Sequence, residues 1–91
     1  MNENIAQAPH GMNLVVELKN GSAIIGRFDE SNGFEVLMHD VDLWQEGQEG
    51  DREHWIRETA TYGVDVKQRD CTFPSSDVQN WLPLGQVEKL V

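Results

Sequence analysis

The stretch that decides the fold is LKNGSAIIGRFDESNGFEVLMHD, residues 18–40. It contains two Asn-Gly pairs, Asn20-Gly21 and Asn32-Gly33, each lying between apolar runs. Asn-Gly in such a position is a strong hairpin signal, because both central residues of the favoured turn need positive φ. The pattern therefore predicts a three-stranded antiparallel meander with strands over residues 14–18, 22–28 and 34–44.

Gly26 interrupts the second predicted strand, and a glycine there usually marks a bulge, a sharp bend or a close backbone approach. The third predicted strand carries a matching irregularity. Its apolar residues Phe34, Val36 and Met38 share one face, whereas Val41 and Leu43 have the opposite parity, so we expect a bend or bulge near His39-Asp40. Two neighbouring strands that bend at similar positions predict a small, strongly curled sheet.

The remaining segments are read from their turn residues and apolar spacing. Residues 45–53 are polar and predict a loop, residues 54–67 alternate loosely and predict one or two strands, and residues 68–77 predict mostly turn. Residues 78–83 and 87–91 predict short strands, and the N-terminal NENIAQA predicts one or two helical turns ended by Pro9. The fold class is therefore all-β, with a short N-terminal helix on a bent sheet.

Length and composition indicate one small domain, spanning residues 1–91. The single cysteine, Cys71, excludes an internal disulfide. No basic leader, apolar signal region or membrane-spanning run is present, so a cytoplasmic protein without membrane contact is expected. The net charge of −9 weighs against broad, non-specific binding of nucleic acid, whose phosphates favour basic partners.

The spacing of Lys19-Asn20-Gly21, Gly26, Phe28 and the run Asn32 to Asp40 resembles the first motif of the Sm/Lsm family. The C-terminal WLPLGQVEKLV is similar to the second motif of that family, in which an apolar strand turns at a glycine into a final strand. The resemblance implies an N-terminal helix on a five-stranded, sharply bent antiparallel barrel. The segment between the third and last strands, residues 45–77, is longer than in a typical member, so a long insertion between strands 3 and 5 is expected. The resemblance also suggests a divergent viral or environmental member.

The resemblance further implies a homo-oligomeric ring. In the family, the fourth strand of one subunit pairs with the fifth strand of the next, and residues 87–91 are the expected fifth strand here. An exposed terminal strand has unpaired backbone groups that favour such a partner. A head-to-tail contact of this kind closes into a ring or grows into a fibre.

The family pocket for uridine-rich or adenine-rich RNA uses an aromatic or histidine that stacks on the base, an asparagine and an arginine. This chain departs from that pattern at each position. Glycine and Glu replace the aromatic and the asparagine, Leu replaces the arginine beside a glycine, and Asn replaces the motif aspartate. The diverged positions are Asn32, Gly33, Phe34 (in the methionine place), Glu35, Leu84 and Gly85.

A second candidate site is the one concentration of basic residues, which is interleaved with aromatic residues. Such a mixture suits single-stranded nucleic acid, through base stacking and phosphate contact. The alternative is an exposed hairpin arm whose cations pair with nearby acids and cancel the local field. The candidate residues are Arg52, Trp55, Arg57, Tyr62, Lys67 and Arg69.

No metal, cofactor or catalytic site is predicted. Asp40 and Asp42 beside His39 are too few for a hard-cation site, which needs six or more oxygen ligands. Cys71 with His54 has no third residue to orient the pair. The three tryptophans are expected as core or subunit-interface anchors; they are Trp44, Trp55 and Trp81.

The sequence therefore predicts a non-enzymatic, Sm-like ring that binds single-stranded RNA or another nucleic acid through weak sites repeated around the ring. The alternative is a structural or protein-interaction ring without nucleic-acid binding. The acidic charge would favour a partner protein with a basic surface in that case.

Overall fold

The computed structural model describes residues 4–90, which form five strands, one α-helix and three single-turn 3-10 helices. The strands are β1 (Asn13–Leu18), β2 (Ala23–Ser31), β3 (Glu35–Trp44), β4 (Gln68–Pro74) and β5 (Val78–Pro83). The helix α1 spans Arg52–Tyr62, and the 3-10 turns span Ile5–Gln7, Ser75–Asp77 and Leu84–Gln86. The chain is thus mostly β, as predicted.

The strands form one antiparallel sheet in the order β4-β3-β2-β1-β5. The meander β1-β2-β3 is confirmed, and Gly21 and Gly33 take positive φ in its two turns, as Asn-Gly pairs favour. β4 and β5 lie at opposite edges of the sheet, although only the Ser75–Asp77 turn separates them in the chain. Because so short a turn joins the two edges, the sheet must curl on itself as a barrel does.

The predicted kink at Gly26 is a close approach between β2 and β3. The register passes from Ile25↔Asp42 to Arg27↔His39, so two residues of β3 oppose one glycine. A side chain at position 26 would overlap the Val41 side chain and come within 3.0 Å of the His39 carbonyl oxygen. The extra residue is Asp40, whose φ of 52° is the only positive value outside glycine in the described chain. This bulge carries the face switch that the apolar pattern predicts.

Apolar side chains pack on both faces of the sheet. The larger cluster lies inside the curl and contains Leu14, Phe28, Val36 and Met38, with Ile5 from the first 3-10 turn lying on it. Val15 and Ile25 face the other way and pack under Ile56 of α1. The alternation Leu14-Val15-Val16 therefore supplies both faces of the central part of β1, where all three residues are buried.

Residues 54–67 were predicted as strands, and this prediction is wrong, because residues 52–62 form α1. Asp51 caps the helix by accepting a hydrogen bond from the Glu53 amide, and Gly63, with φ of 98°, ends it. Ile56 and Thr59 are its buried residues. The loose alternation was misleading because Ile56 and Ala60, which have the same parity, are also four residues apart, the spacing of one helix face.

Two further predictions are corrected at the C-terminal end. Residues 68–74, predicted as turn, form β4, and its buried residues Cys71 and Phe73 alternate with exposed ones. Residues 87–90, predicted within a final strand, have no regular structure, and residue 91 lies outside the described residues. The fifth strand is instead the 78–83 segment, which was predicted as a strand. The backbone turns away at Leu84–Gln86 and continues along α1, where other hydrogen bonds hold it.

The predicted N-terminal helix is a single 3-10 turn, Ile5–Gln7, within the described residues. The Asn4 side chain caps it, and Ile5 and Ala8 are buried against the inner cluster. Residues 1–3 lie outside the described part, so the beginning of the NENIAQA segment is not compared.

Candidate functional site

The turn between β2 and β3 meets the connection between β4 and β5. The Ser75 amide donates to the Phe34 carbonyl at 2.8 Å, and the Ser75 hydroxyl donates to the Gly33 carbonyl at 2.9 Å. Within the turn, the Asn32 Oδ1 accepts hydrogen bonds from the amides of Phe34 and Glu35, both at 2.9 Å. The turn is therefore held from both sides, and its backbone is fixed.

Phe34 is 82% exposed at the tip of this turn, although it has the same parity as Val36 and Met38, which are buried. The strand begins one residue later, at Glu35, so Phe34 stands outside the pleat that buries the other two. A single exposed aromatic side chain is common on protein surfaces, so the exposure shows only that Phe34 is not a core residue and that its ring is accessible.

Leu84 and Gly85, the other two diverged pocket positions, do not join this turn. They lie in the Leu84–Gln86 turn after β5, where Leu84 packs against the cluster of Val15, Ile25 and Ile56 under α1. The residue that meets the β2–β3 turn is Ser75. The sequence did not indicate Ser75 because residues 68–77 predict mostly turn. In the structure only Ser75–Asp77 form a turn, between the strands β4 and β5.

The basic and aromatic candidates are distributed over α1 and the segment that follows it. Arg52 begins α1 and reaches back to the β1–β2 turn, donating to the Gly21 carbonyl at 2.8 Å and to Glu17 at 3.0 Å. Its charge is therefore paired within the chain, with a partner that is 35 residues away in sequence.

Arg57 holds the C-terminal segment against α1. Its guanidinium donates to the carbonyls of Glu88 and Lys89 at 3.2 and 3.0 Å and lies 3.5 Å from the Glu88 carboxylate. The Leu90 amide donates to the Thr61 hydroxyl one turn further along α1. These bonds fasten residues 88–90 to the helix.

Asp42 connects β3 to two of the candidates. Its carboxylate accepts a hydrogen bond from the Trp55 indole at 3.1 Å, and the Lys67 ammonium lies 3.7 Å away. Lys67 also pairs with Asp65 at 2.6 Å, and this hydrogen bond, together with the attraction of Asp42, raises the pKa of Lys67. Trp55 packs against Trp44 with ring centroids 5.7 Å apart.

Tyr62, Arg69 and the already described Lys67 are the exposed candidates. Tyr62 is 74% exposed at the end of α1, and Arg69 lies on the outer strand β4 without a side-chain partner among residues 4–90. Three of the four basic candidates thus have their charge paired internally, which is the alternative interpretation of this set. Their role in binding nucleic acid stays a prediction.

His39 lies between two carboxylates at the bulge. Its Nε2 is 2.8 Å from Asp29 of β2, and its Nδ1 is 2.9 Å from Asp70 of β4. The hydrogen bonds to Asp29 and then Asp70 raise the pKa of His39, and the bond from His39 lowers the pKa of Asp29. His39 therefore joins three adjacent strands through a charge that both carboxylates stabilise.

The nucleophile and metal candidates lie apart. Cys71 is buried in β4, which raises the pKa of its thiol, and His54 is exposed on α1. Asp40 pairs loosely with Arg27 at 3.4 Å, while Asp42 makes the contacts already described. Within residues 4–90, no cluster of three or more His, Cys, Asp or Glu side chains is arranged to hold a metal ion.

The three tryptophans take different positions. Trp44 is buried at the end of β3, and Trp55 beside it packs on the cluster of Val15, Ile25 and Ile56. Trp81 packs from β5 against the larger cluster inside the curl of the sheet. All three therefore anchor the core of this chain. No described helix is both long and apolar enough to cross a membrane.

No protein-family model matches the chain, and no curated protein matches it significantly. Among solved structures it is similar to the Sm protein of Pyrococcus abyssii, which was solved in complex with a uridine heptamer. The two share 17% sequence identity over 81% of this chain and 84% of that one, with a TM-score of 0.55. An archaeal neighbour gives no support to a viral or environmental origin. At this identity the similarity concerns architecture, and the chain therefore has the Sm fold.

Proposed function

We propose that this chain assembles into a ring through its two outer strands, and that the ring binds single-stranded RNA by stacking bases on Phe34. The observation that carries the proposal is the exposed Phe34 on a fixed turn of an Sm fold. Base stacking on an aromatic side chain contributes about 1–3 kcal/mol per base. Because the turn is already ordered, little entropy is lost when a base binds.

The outer strands support the assembly. β4 and β5 each have a neighbour on one side only, so their outward backbone groups are open to another strand. β4 of one copy meeting β5 of the next is a head-to-tail contact, which closes when the rotation per copy divides a full turn. The contact strand is then Val78–Pro83 rather than the 87–91 segment first expected.

The solved neighbour supports RNA as the ligand, since it is an Sm protein in complex with a uridine heptamer. The negative charge of this chain indicates that contacts to RNA phosphates would contribute less to binding than base stacking. Its net charge is −9, and Arg52, Arg57 and Lys67 are paired with acids of the same chain. We therefore propose that stacking contributes more than phosphate contact, with a small salt dependence.

A second candidate function is a protein-interaction ring with a basic partner. The same pairing of cations favours it, because it leaves a surface dominated by unpaired carboxylates. In both cases the proposed role is binding rather than catalysis. Burial raises the pKa of the Cys71 thiol, which disfavours Cys71 as a nucleophile.

The experiment measures mass in solution and affinity for uridine, adenosine and deoxythymidine heptamers at several salt concentrations. Phe34→Ala should weaken binding of the preferred heptamer roughly fivefold or more per stacked base. Phe34→Tyr should preserve binding, and Val66→Ala, at an exposed apolar residue outside the candidate set, should leave it unchanged. Equal affinity of Phe34→Ala and the parent chain would refute the stacking role.

The assembly is tested separately. A chain ending at Gln86 keeps β4 and β5 and should assemble with the same number of copies as the parent chain. If residues 87–91 made the contact between copies, the shortened chain would fail to assemble. A monomeric parent at high concentration would refute the ring. Absence of binding to all heptamers at low salt would favour the protein-partner function.

A further inference from the structure

An open pocket lies between the end of α1, the end of β3 and the return to β4. Its volume is about 560 Å³, and its polar and aromatic walls include Asp42, Trp55, Glu58, Tyr62, Asp65 and Lys67. Neither of the proposed binding elements, the Phe34 turn and the outer edges of β4 and β5, contributes to these walls.

The charges of the pocket favour a cation. Three of these side chains are carboxylic acids and one is an ammonium, so the wall carries a net charge of −2 in their ordinary ionisation states. The end of α1 lies at the same place, since Thr59, Tyr62 and Gly63 are part of the lining. The C-terminal end of a helix attracts positive charge, and no residue in the last turn of α1 is basic.

Asp42 is the buried carboxylate in the lining of this pocket, with only 6% of its surface exposed. Its oxygens accept one hydrogen bond from the Leu43 amide and one from the Trp55 indole. A carboxylate accepts about four hydrogen bonds, and Lys67 at 3.7 Å is too distant to provide one. The carboxylate therefore retains acceptor capacity, although Lys67 forms an ion pair with it at 3.7 Å.

Two aromatic residues complete the pocket. The Trp55 indole is fixed by its bond to Asp42 and by packing on Trp44. Tyr62, about two turns further along α1, lines the same pocket mostly in solvent, and no cation of residues 4–90 lies over either ring. Aromatic faces next to carboxylates bind ammonium and guanidinium groups, because the ring quadrupole and the negative charges attract the same ligand.

We propose that this pocket binds a lysine or arginine side chain presented by a basic partner protein. The cationic head would approach Asp42 and the end of α1, and the aliphatic stem would lie along Trp55 and Tyr62. The strong negative charge of the whole chain would favour approach of such a partner. The site is independent of the Phe34 turn, so either proposal can fail without the other.

The test is an NMR titration of the full chain with the N-acetyl methylamides of arginine, lysine and citrulline, the last being a neutral isostere of arginine. Arginine and lysine derivatives should shift the Trp55 indole and Leu43 amide signals, and citrulline should not. Tyr62→Ala should weaken binding about two- to fivefold, the effect of losing one exposed cation–π contact. Glu58→Gln should also weaken binding, and its effect should shrink as salt rises.

Glu49→Gln removes an exposed acid outside the pocket, and Phe34→Ala removes the other exposed aromatic residue, so both should leave the titration unchanged. Equal binding of citrulline and arginine would overturn the proposal, as would shifts that map elsewhere or equal losses in Glu49→Gln and Glu58→Gln. Binding of tetramethylammonium but of neither amino-acid derivative would assign the pocket to a small ligand and would also overturn it.

Discussion

Gly26→Ala tests the contact on which the curvature of the sheet depends. An added Cβ would overlap the Val41 side chain, lie 2.9 Å from the Val41 Cα and 3.0 Å from the His39 carbonyl oxygen. Carbon atoms pack best at about 3.5–4.0 Å, so β2 and β3 would have to separate by several tenths of an ångström. Rotating the Val41 side chain removes only the first overlap, since the other two atoms belong to the backbone.

The expected cost is about 1–3 kcal/mol, the usual result of forcing extra volume into a packed core. The sign of the change in the free energy of unfolding is informative, because alanine stabilises a strand by about 0.5–1 kcal/mol relative to glycine where there is free space for its side chain. The free energy of unfolding is measured by tryptophan fluorescence in urea, with the slope compared between variants. Gly85→Ala is the matched control, because a Cβ there meets nothing within 4 Å, and it should change stability by less than about 0.5 kcal/mol. If Gly26→Ala is as stable as the parent chain, the close approach of the two strands is wrong.

Three other predictions concern single contacts. At a pH below the ordinary histidine pKa of 6.5, His39 is protonated in both the folded and the unfolded chain, and its stabilising contribution is complete. Because the pKa of His39 is raised in the folded chain, that contribution should be lost as pH rises through the folded pKa. His39→Gln should remove this part of a curve of stability against pH. Arg57→Ala should release the C-terminal segment and speed hydrogen exchange of the Leu90 amide about fivefold, which corresponds to a loss of local stability on the order of 1 kcal/mol. Unchanged exchange would contradict the view that Arg57 holds this segment on α1. Asp51→Ala should destabilise α1 by about 1 kcal/mol in a denaturation assay and Asp51→Asn should not, because asparagine also caps; equal losses would refute the cap.

Local rules predicted the centre of the fold. Asn20-Gly21 and Asn32-Gly33 specify turns through the positive φ that their geometry needs, and that requirement involves only neighbouring residues. Gly26 and the parity change after Met38 were readable for the same reason, since a bulge shifts the apolar pattern within one strand. The first motif of the Sm resemblance rested on these residues, and the five-stranded antiparallel sheet agrees with it. The second motif, WLPLGQVEKLV, predicted a final strand over residues 87–91, and residues 87–90 form none.

Segments without a strong local signal were decided by tertiary contacts. The 52–62 segment has a period that fits a helix or a strand, and burial of Ile56 on Val15 and Ile25 selected the helix. β4 became a strand because Cys71 and Phe73 complete the inner cluster beside β3. Neither contact is visible from neighbouring residues.

What the sequence by itself determined is therefore the meander and its bend. The tertiary structure decided which side chains remain available: it exposed Phe34, paired Arg52 with Glu17, and placed Ser75 beside the β2–β3 turn. The physical reason is distance along the chain. A turn depends on the dihedral preferences of two adjacent residues, whereas an ion pair or a shared pocket depends on how a curled sheet brings together residues more than thirty positions apart.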